Sequence, residues 1–189
     1  EIFFDRIFCV NLTHETDRSF GLPIGLENLR LWNNGRLSYY WDGLQAIRSS
    51  HRSRLVVSSF HSSTNPPIRE PLERLLANSR FGFDGHVWKR REFRDVLMDT
   101  CFVISPPGNG PDCHRTWESI YLGAVPVVLS SALAPSLCEG MPICVVDRYE
   151  DFLEYSDAEL RDLYEHLIKN PPRKAFVEYW VARILGEDS

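Results

Sequence analysis

Apolar residues recur in two rhythms along this chain, and the change of rhythm divides it. Residues 2–10 form a short apolar run that predicts a strand. The stretch "GLPIGLEN" (21–28) is turn-rich, and the chain through Tyr40 reads as an irregular connector. A short helix is expected over 42–49. "RLVVSSF" (54–60) is β-branched and bounded by polar turns, which predicts a buried strand. After the loop "HSSTNPP", Pro67 precedes a helical pattern over 69–78 with Leu72, Leu75 and Leu76 on one face. A weak strand is expected near 80–83. A helix over 91–99 carries Phe93, Val96 and Leu97.

Beyond residue 100 the alternation sharpens. "CFVIS" (101–105) predicts a strand, "PPGNGP" a loop, and 113–122 a helix with Trp117, Ile120 and Tyr121 turned inward. "VPVVL" (125–129) and "PICVV" (142–146) predict two more strands, with a short helix over 133–138 between them. Residues 157–169 form an amphipathic helix through Leu160, Leu163, Tyr164 and Leu167; Pro171 and Pro172 end it, and a last helix spans 173–185. Continuous apolar strands alternating with helices imply an α/β fold, a Rossmann-like parallel sheet flanked by helices. No internal repeat or low-complexity segment interrupts it.

Composition narrows the class. An apolar fraction of 43% with eleven Phe and five Trp supports a packed core rather than disorder. Net charge is −5, and the basic cluster "KRREFR" (89–94) is short and interrupted by Glu92, so it reads as a solvated helix face and nucleic-acid binding is not expected. No apolar run reaches the ~18 residues of a membrane span. The five cysteines (Cys9, Cys101, Cys113, Cys138, Cys144) are odd in number, scattered, and free of any C-x-x-C, which favours buried thiols over a disulfide framework. Asn11-Leu12-Thr13 matches a glycosylation sequon by spacing alone. The first residues read as a strand with no Met ahead of them, so a fragment of a longer protein is expected.

Candidate chemistry gathers in "SPPGNGPDCHRTWESIYLGAVPVV" (105–128). In open parallel sheets, ligands bind beyond the carboxyl ends of the strands, and loop 106–112 is such a place. Gly108 and Gly110 let the backbone approach a ligand. Asp112 is the expected N-cap of the next helix. His114 and Arg115 occupy its first turn, where the helix dipole disfavours cations. A helix N-terminus reinforced by Arg115 favours an anion, a diphosphate in particular. Arg69 opens the helix after the preceding strand in the same way, so the two arginines could hold one anion from two sides. Glu118 shares the face of His114 and Arg115 and could accept both hydroxyls of a ribose.

Structural readings stand beside each of these. Arg115 could pair on the surface with Asp112 or Glu118, and Arg69 with Glu73 at helical spacing. His114 could be a surface or supporting residue, Trp117 belongs in the core, and the two glycines could simply turn the chain. "GNG" lacks the third glycine of a dinucleotide fingerprint, no G-x-x-x-x-G-K-[ST] or G-x-S-x-G is present, and no His or Cys spacing suggests zinc. No Asp-x-Asp pair occurs, so no metal site is expected and phosphate charge would be met by Arg and helix dipoles.

The long central motif, with "SSFHSSTNPPIRE" and "GLPIGLEN" upstream in the same order, resembles the exostosin-like glycosyltransferases, and among them the ribitol xylosyltransferase group; the likeness covers residues 20–150. The resemblance implies one half of a GT-B enzyme, the second of two Rossmann-like domains facing across a cleft. On that basis residues 1–40 would be a connector or edge segment from the end of a preceding N-terminal domain, 41–156 the nucleotide-sugar-binding domain, and 157–189 helices packing on it. It implies a UDP- or GDP-sugar donor as substrate with no separate cofactor, a glycan or other hydroxyl acceptor, and transfer with inversion. Arg115 would contact the diphosphate, Arg69 would assist, Glu118 would hold the ribose or sugar, Gly108, Asn109 and Gly110 would supply backbone contacts beside Asp112 and His114, and Ser130 would border the nucleotide. The catalytic base is unassigned; Asp112 and Glu118 are its weak candidates. The compartment would be the Golgi lumen for a eukaryotic source and the cytoplasm for a bacterial or viral one. The alternative function is a non-catalytic nucleotide-sugar or phosphate-binding module, and a purely structural α/β domain is the third.

Overall fold

A computed structural model of the protein describes residues 5–28, 36, 38–40, 51–86 and 88–187. Its main feature is a four-stranded parallel sheet in the order β3 (Arg54–Val57), β4 (Thr100–Ile104), β5 (Val125–Leu129), β6 (Cys144–Val146). Register runs Val56 opposite Phe102, Ile104 opposite Val127, and Val127 opposite Cys144. Strand neighbours follow chain order, and helices fill the crossovers: α1 (Pro66–Ala77) and α2 (Arg90–Met98) before β4, α3 (His114–Tyr121) before β5, α4 (Pro135–Cys138) before β6. After β6 come α5 (Tyr149–Leu153), α6 (Asp157–Leu167) and α7 (Val177–Leu185).

The apolar runs are continuous because both faces of the sheet are covered. Phe102 and Ile104 of β4, with Val125 and Val127 of β5, face a core built with Leu72 and Leu76 of α1, Phe152 of α5 and Leu160 and Tyr164 of α6. Val103 and Val128 face the opposite core, with Leu97, Trp117, Ile120, Leu137 and Trp180. Each such side chain contributes about 1.5–3 kcal/mol on full burial. The α/β, Rossmann-like class is therefore as expected. All five cysteines are free thiols, two of them, Cys101 and Cys144, fully buried.

Ahead of this sheet lies a separate parallel pair, β1 (Ile7–Val10) and β2 (Ser19–Leu22). β2 falls where the turn-rich reading begins. Gly21 is needed there by packing, since a Cβ would stand 2.9 Å from Ala134 Cβ. The expected strand 54–60 stops at Val57, because the Ser58 carbonyl accepts from Asp84 N–H at 2.8 Å and the chain turns away from β4. That bond and the donation of Ser58 Oγ to Gly82 O leave 80–83 as turn rather than strand. α5 was not expected; Tyr149 and Phe152, one turn apart, are the residues it buries. The expected helix 42–49 lies outside the described residues.

Arg52, just before β3, shows how this fold treats a buried cation. It is 4% exposed and donates to Leu97 O at 2.9 Å, Thr100 O at 2.8 Å and Leu122 O at 2.8 Å, so the ends of α2 and α3 share one guanidinium.

Candidate functional site

Loop 106–112 leaves the carboxyl end of β4 and is closed by Gly108 N–H donating to Gly110 O at 2.9 Å. Asn65 Nδ2 holds Gly108 O at 2.9 Å. Arg69 does more of the same work. Its Nε donates to Pro107 O at 2.9 Å, its Nη2 to Pro106 O at 3.1 Å and its Nη1 to His61 O at 3.0 Å, while the guanidinium lies 5.5 Å from the Phe60 ring centre. Burial pulls its pKa down. Arg69 therefore ties the loop after β4 to the loop after β3, and it does not pair with Glu73, which accepts from Ser62 Oγ instead.

The two glycines answer to close packing. A Cβ on Gly108 would stand 3.1 Å from Arg69 Nη2, and one on Gly110 would stand 2.5 Å from Asn11 Oδ1. Asn11, itself at φ 58°, accepts from Asp112 N–H at 3.2 Å, so the sequon asparagine is a structural tie here. Asn109 stands exposed at the tip between them.

Asp112 is not the N-cap. Cys113 takes that position without a side-chain cap bond. The Asp112 carboxylate, 3% exposed, turns back to accept from Ile24 N–H at 2.8 Å and from Trp117 Nε1 at 2.9 and 3.0 Å. Burial pushes its pKa up to about 6, against the pull of these donors. Trp117 is fully buried, as expected of a core residue. His114 Nδ1 donates to Gly25 O at 2.8 Å, the carbonyl fixing that nitrogen as the protonated one. Both residues thus fasten the 21–28 segment to the main body.

Arg115 is different. Its Nε and Nη1 are buried and, among the described residues, have no hydrogen-bond partner, although the residue as a whole is partly exposed. No ion pair with Asp112 or Glu118 forms; the guanidinium rests over the Phe93 ring at 5.5 Å. Burial lowers its pKa, and the charge of Arg69 adds to that effect, while Cys113 and Glu118 oppose it. An arginine stays charged regardless, so an unsatisfied cation sits in a low-dielectric wall.

That wall encloses a cavity of about 180 Å³ beyond the carboxyl end of β3, lined by Ser59, Phe60, His61, Gly85, His86, Trp88, Phe93 and Arg115. Trp88 Nε1 is a further buried donor with no partner among the described residues. No protein-family model matches this chain, and a search of curated proteins finds no similar sequence.

The structure brings Arg115 to this cavity and leaves other expected residues apart from it. Glu118 points to a smaller hollow of about 60 Å³ with Tyr39, Tyr40 and Arg94, and accepts from Tyr40 Oη at 3.1 Å. Burial raises its pKa; the Tyr40 bond and the Arg115 charge resist. Ser130, at the end of β5, is exposed and donates to Asp147 Oδ1 at 2.7 Å. Among the described residues no cluster of three or more His, Cys, Asp or Glu is placed to hold a metal. The expected site residues omit the aromatic wall. Its signal was "SSFH" at the end of a buried strand, the same strand-end position that singled out 106–112.

Proposed function

We propose that this chain is the donor-binding half of a glycosyltransferase similar to the exostosin-like enzymes. It takes a nucleoside-diphosphate sugar, of the UDP or GDP kind, and the sugar passes with inversion to a hydroxyl of a glycan or other acceptor. One observation carries the reading: Arg115, with two buried donors unpartnered among the described residues, lines a cavity at the carboxyl edge of a parallel sheet, beside the N-terminus of α3. Leaving a buried charge without an acceptor is costly, and a diphosphate oxygen would remove that cost. As the glycosidic bond to the donor breaks, negative charge grows on the leaving diphosphate, and prearranged donors lower that barrier. With no Asp-x-Asp pair in the chain, Arg115 and the helix end supply the neutralisation.

The remaining expected residues take graded parts. Asn109, at the loop tip, can meet the donor directly. Gly108, Gly110 and Arg69 act through the loop they shape. Glu118 reaches a ribose by exchanging the Tyr40 hydroxyl for a sugar hydroxyl. A facing domain would bring the acceptor and the base; Val177, Val181, Ile184 and Leu185 of α7 stay 47–67% exposed, an apolar surface of the kind that marks an interface.

Calorimetric titration of UDP, GDP and their sugars into the wild-type chain and into Arg115→Met tests this. Micromolar to millimolar binding by wild type and a loss of about 100-fold in the variant are expected, on the order of a charge-assisted hydrogen bond pair. Equal binding by both proteins, or none by wild type, rejects the reading. A second reading, a non-catalytic binding module, is favoured by a cavity lining that holds no carboxylate among the described residues. Sugar transfer by the chain together with its facing domain would exclude it.

A further inference from the structure

We infer that Trp88 is a second donor to the anion that Arg115 awaits, so that the cavity reads a group presenting acceptors alone. The identity of that group as a diphosphate rests on the donor-site reading above; the seat itself does not. Among the described residues, three buried N–H donors lack a partner, and the two side chains that carry them line one cavity: Arg115 Nε, Arg115 Nη1 and Trp88 Nε1. Buried Trp N–H groups ordinarily find an acceptor. Indole nitrogen and guanidinium are donor-only, so neither can satisfy the other. Among the described residues no carboxylate lines the cavity. The missing partner must bring lone pairs and, facing a cation, negative charge.

The walls fit this role. Trp88 is held edge-on to His86 with ring centres 4.8 Å apart, and its backbone N–H donates to His86 O at 3.1 Å. The Arg115 guanidinium lies over the Phe93 ring at 5.5 Å. Both donors are thus oriented by neighbours before any ligand arrives, which spares ordering cost on binding. At about 180 Å³ the cavity is smaller than the ~300–1,000 Å³ that encloses a whole drug-sized ligand, so it seats one part of a nucleotide sugar. Charge-assisted bonds to phosphate are roughly twice as strong as neutral ones, and this ranks phosphate oxygens above a sugar hydroxyl as the occupant.

The test uses indole-¹⁵N-labelled chain titrated separately with inorganic pyrophosphate and with UDP, with Trp88→Phe identifying the Trp88 indole resonance. The Trp88 N–H signal should move more than those of the other four tryptophans, and Trp88→Phe should weaken both ligands by about 10-fold or more. If Arg115→Met abolishes UDP binding while the Trp88 indole stays still and Trp88→Phe binds as wild type, Trp88 has no part in the seat and the inference is overturned, with the donor reading intact. If pyrophosphate moves the Trp88 indole but UDP does not bind, the seat stands and the donor reading fails. If neither ligand moves that indole, its partner is water and the inference is overturned. The indole measurement on the wild-type chain decides these cases even if Trp88→Phe folds poorly.

Discussion

Three arginines of this fold, Arg52, Arg69 and Arg115, differ in what their donors meet. Arg52 and Arg69 each give three bonds to backbone carbonyls. Arg115 gives none from its buried Nε and Nη1. Replacement by methionine, similar in length and uncharged, should therefore have opposite consequences. Arg69→Met strands the carbonyls of His61, Pro106 and Pro107; at about 1–3 kcal/mol for each buried group left unsatisfied, a loss of roughly 3 kcal/mol or more is expected. Arg115→Met removes a buried cation whose desolvation the Phe93 ring and the Glu118 charge only partly offset, so a gain of about 1–2 kcal/mol is expected. Urea denaturation of the two variants and the wild type measures both. A stability gain coupled to loss of nucleotide binding is the signature of a functional site held under local cost. Destabilisation by both variants would instead make Arg115 a structural residue.

At the scale of elements, what could be read from sequence follows from how each element is buried. β4 and β5 stand between two layers, so Thr100–Ile104 and Val125–Leu129 are unbroken apolar runs and announce themselves. α6 carries its own start signal: Ser156 accepts from Glu159 N–H, and Glu159 reaches back to Ser156 N–H. β2 was hidden because Ser-Phe-Gly-Leu contains the residue that most often marks a turn, yet Gly21 is extended and small only because Ala134 and Leu137 press on it. That contact lies across 113 residues of chain and leaves no local trace. The aromatic cavity was missed for a related reason, since Phe60, Trp88 and Phe93 come from three separate segments and meet only in the fold. The two kinds of element respond differently to alanine. Ser156→Ala removes a cap and should cost about 1 kcal/mol. Gly21→Ala sets a methyl 2.9 Å from the Cβ of Ala134, the N-cap of α4, and should cost roughly 1–3 kcal/mol, with the larger shift in thermal midpoint. Equal, negligible effects would show β2 to be loosely seated.

At the scale of the whole molecule, the β1–β2 pair is fastened to the main body by polar ties as well as by the packing of Phe8, Gly21 and Leu22, and two carboxylates, half-buried Glu15 and buried Asp112, give that joint opposite responses to pH. Glu15 accepts from Gly21 N–H at 2.9 Å and from Ser136 N–H at 3.1 Å, bridging β2 to α4. Burial works against its charge, but these donors hold its pKa below 4.5, so its contribution is fully present above that value and is lost as pH falls from there through the lower folded pKa. Asp112, holding Ile24 N–H, runs the other way. Burial raises its pKa from 3.8 to about 6, so the folded chain binds the proton more tightly than the unfolded one. Its contribution is greatest below pH 3.8, declines as pH rises toward about 6, and is level above that. The interval from 3.8 to about 6, at about 1.4 kcal/mol per pH unit, amounts to roughly 3 kcal/mol. Asp112→Asn cannot ionise, so the stability difference, wild type minus variant, should fall by that order between pH 4 and 6 and then stay flat to pH 8. Urea denaturation at unit pH steps, followed by Trp fluorescence, measures the difference. A difference that instead rises with pH would mean that the Ile24 and Trp117 donors outweigh burial and that Asp112 is a stabilising anion, drawing its pKa below 3.8 in the folded chain.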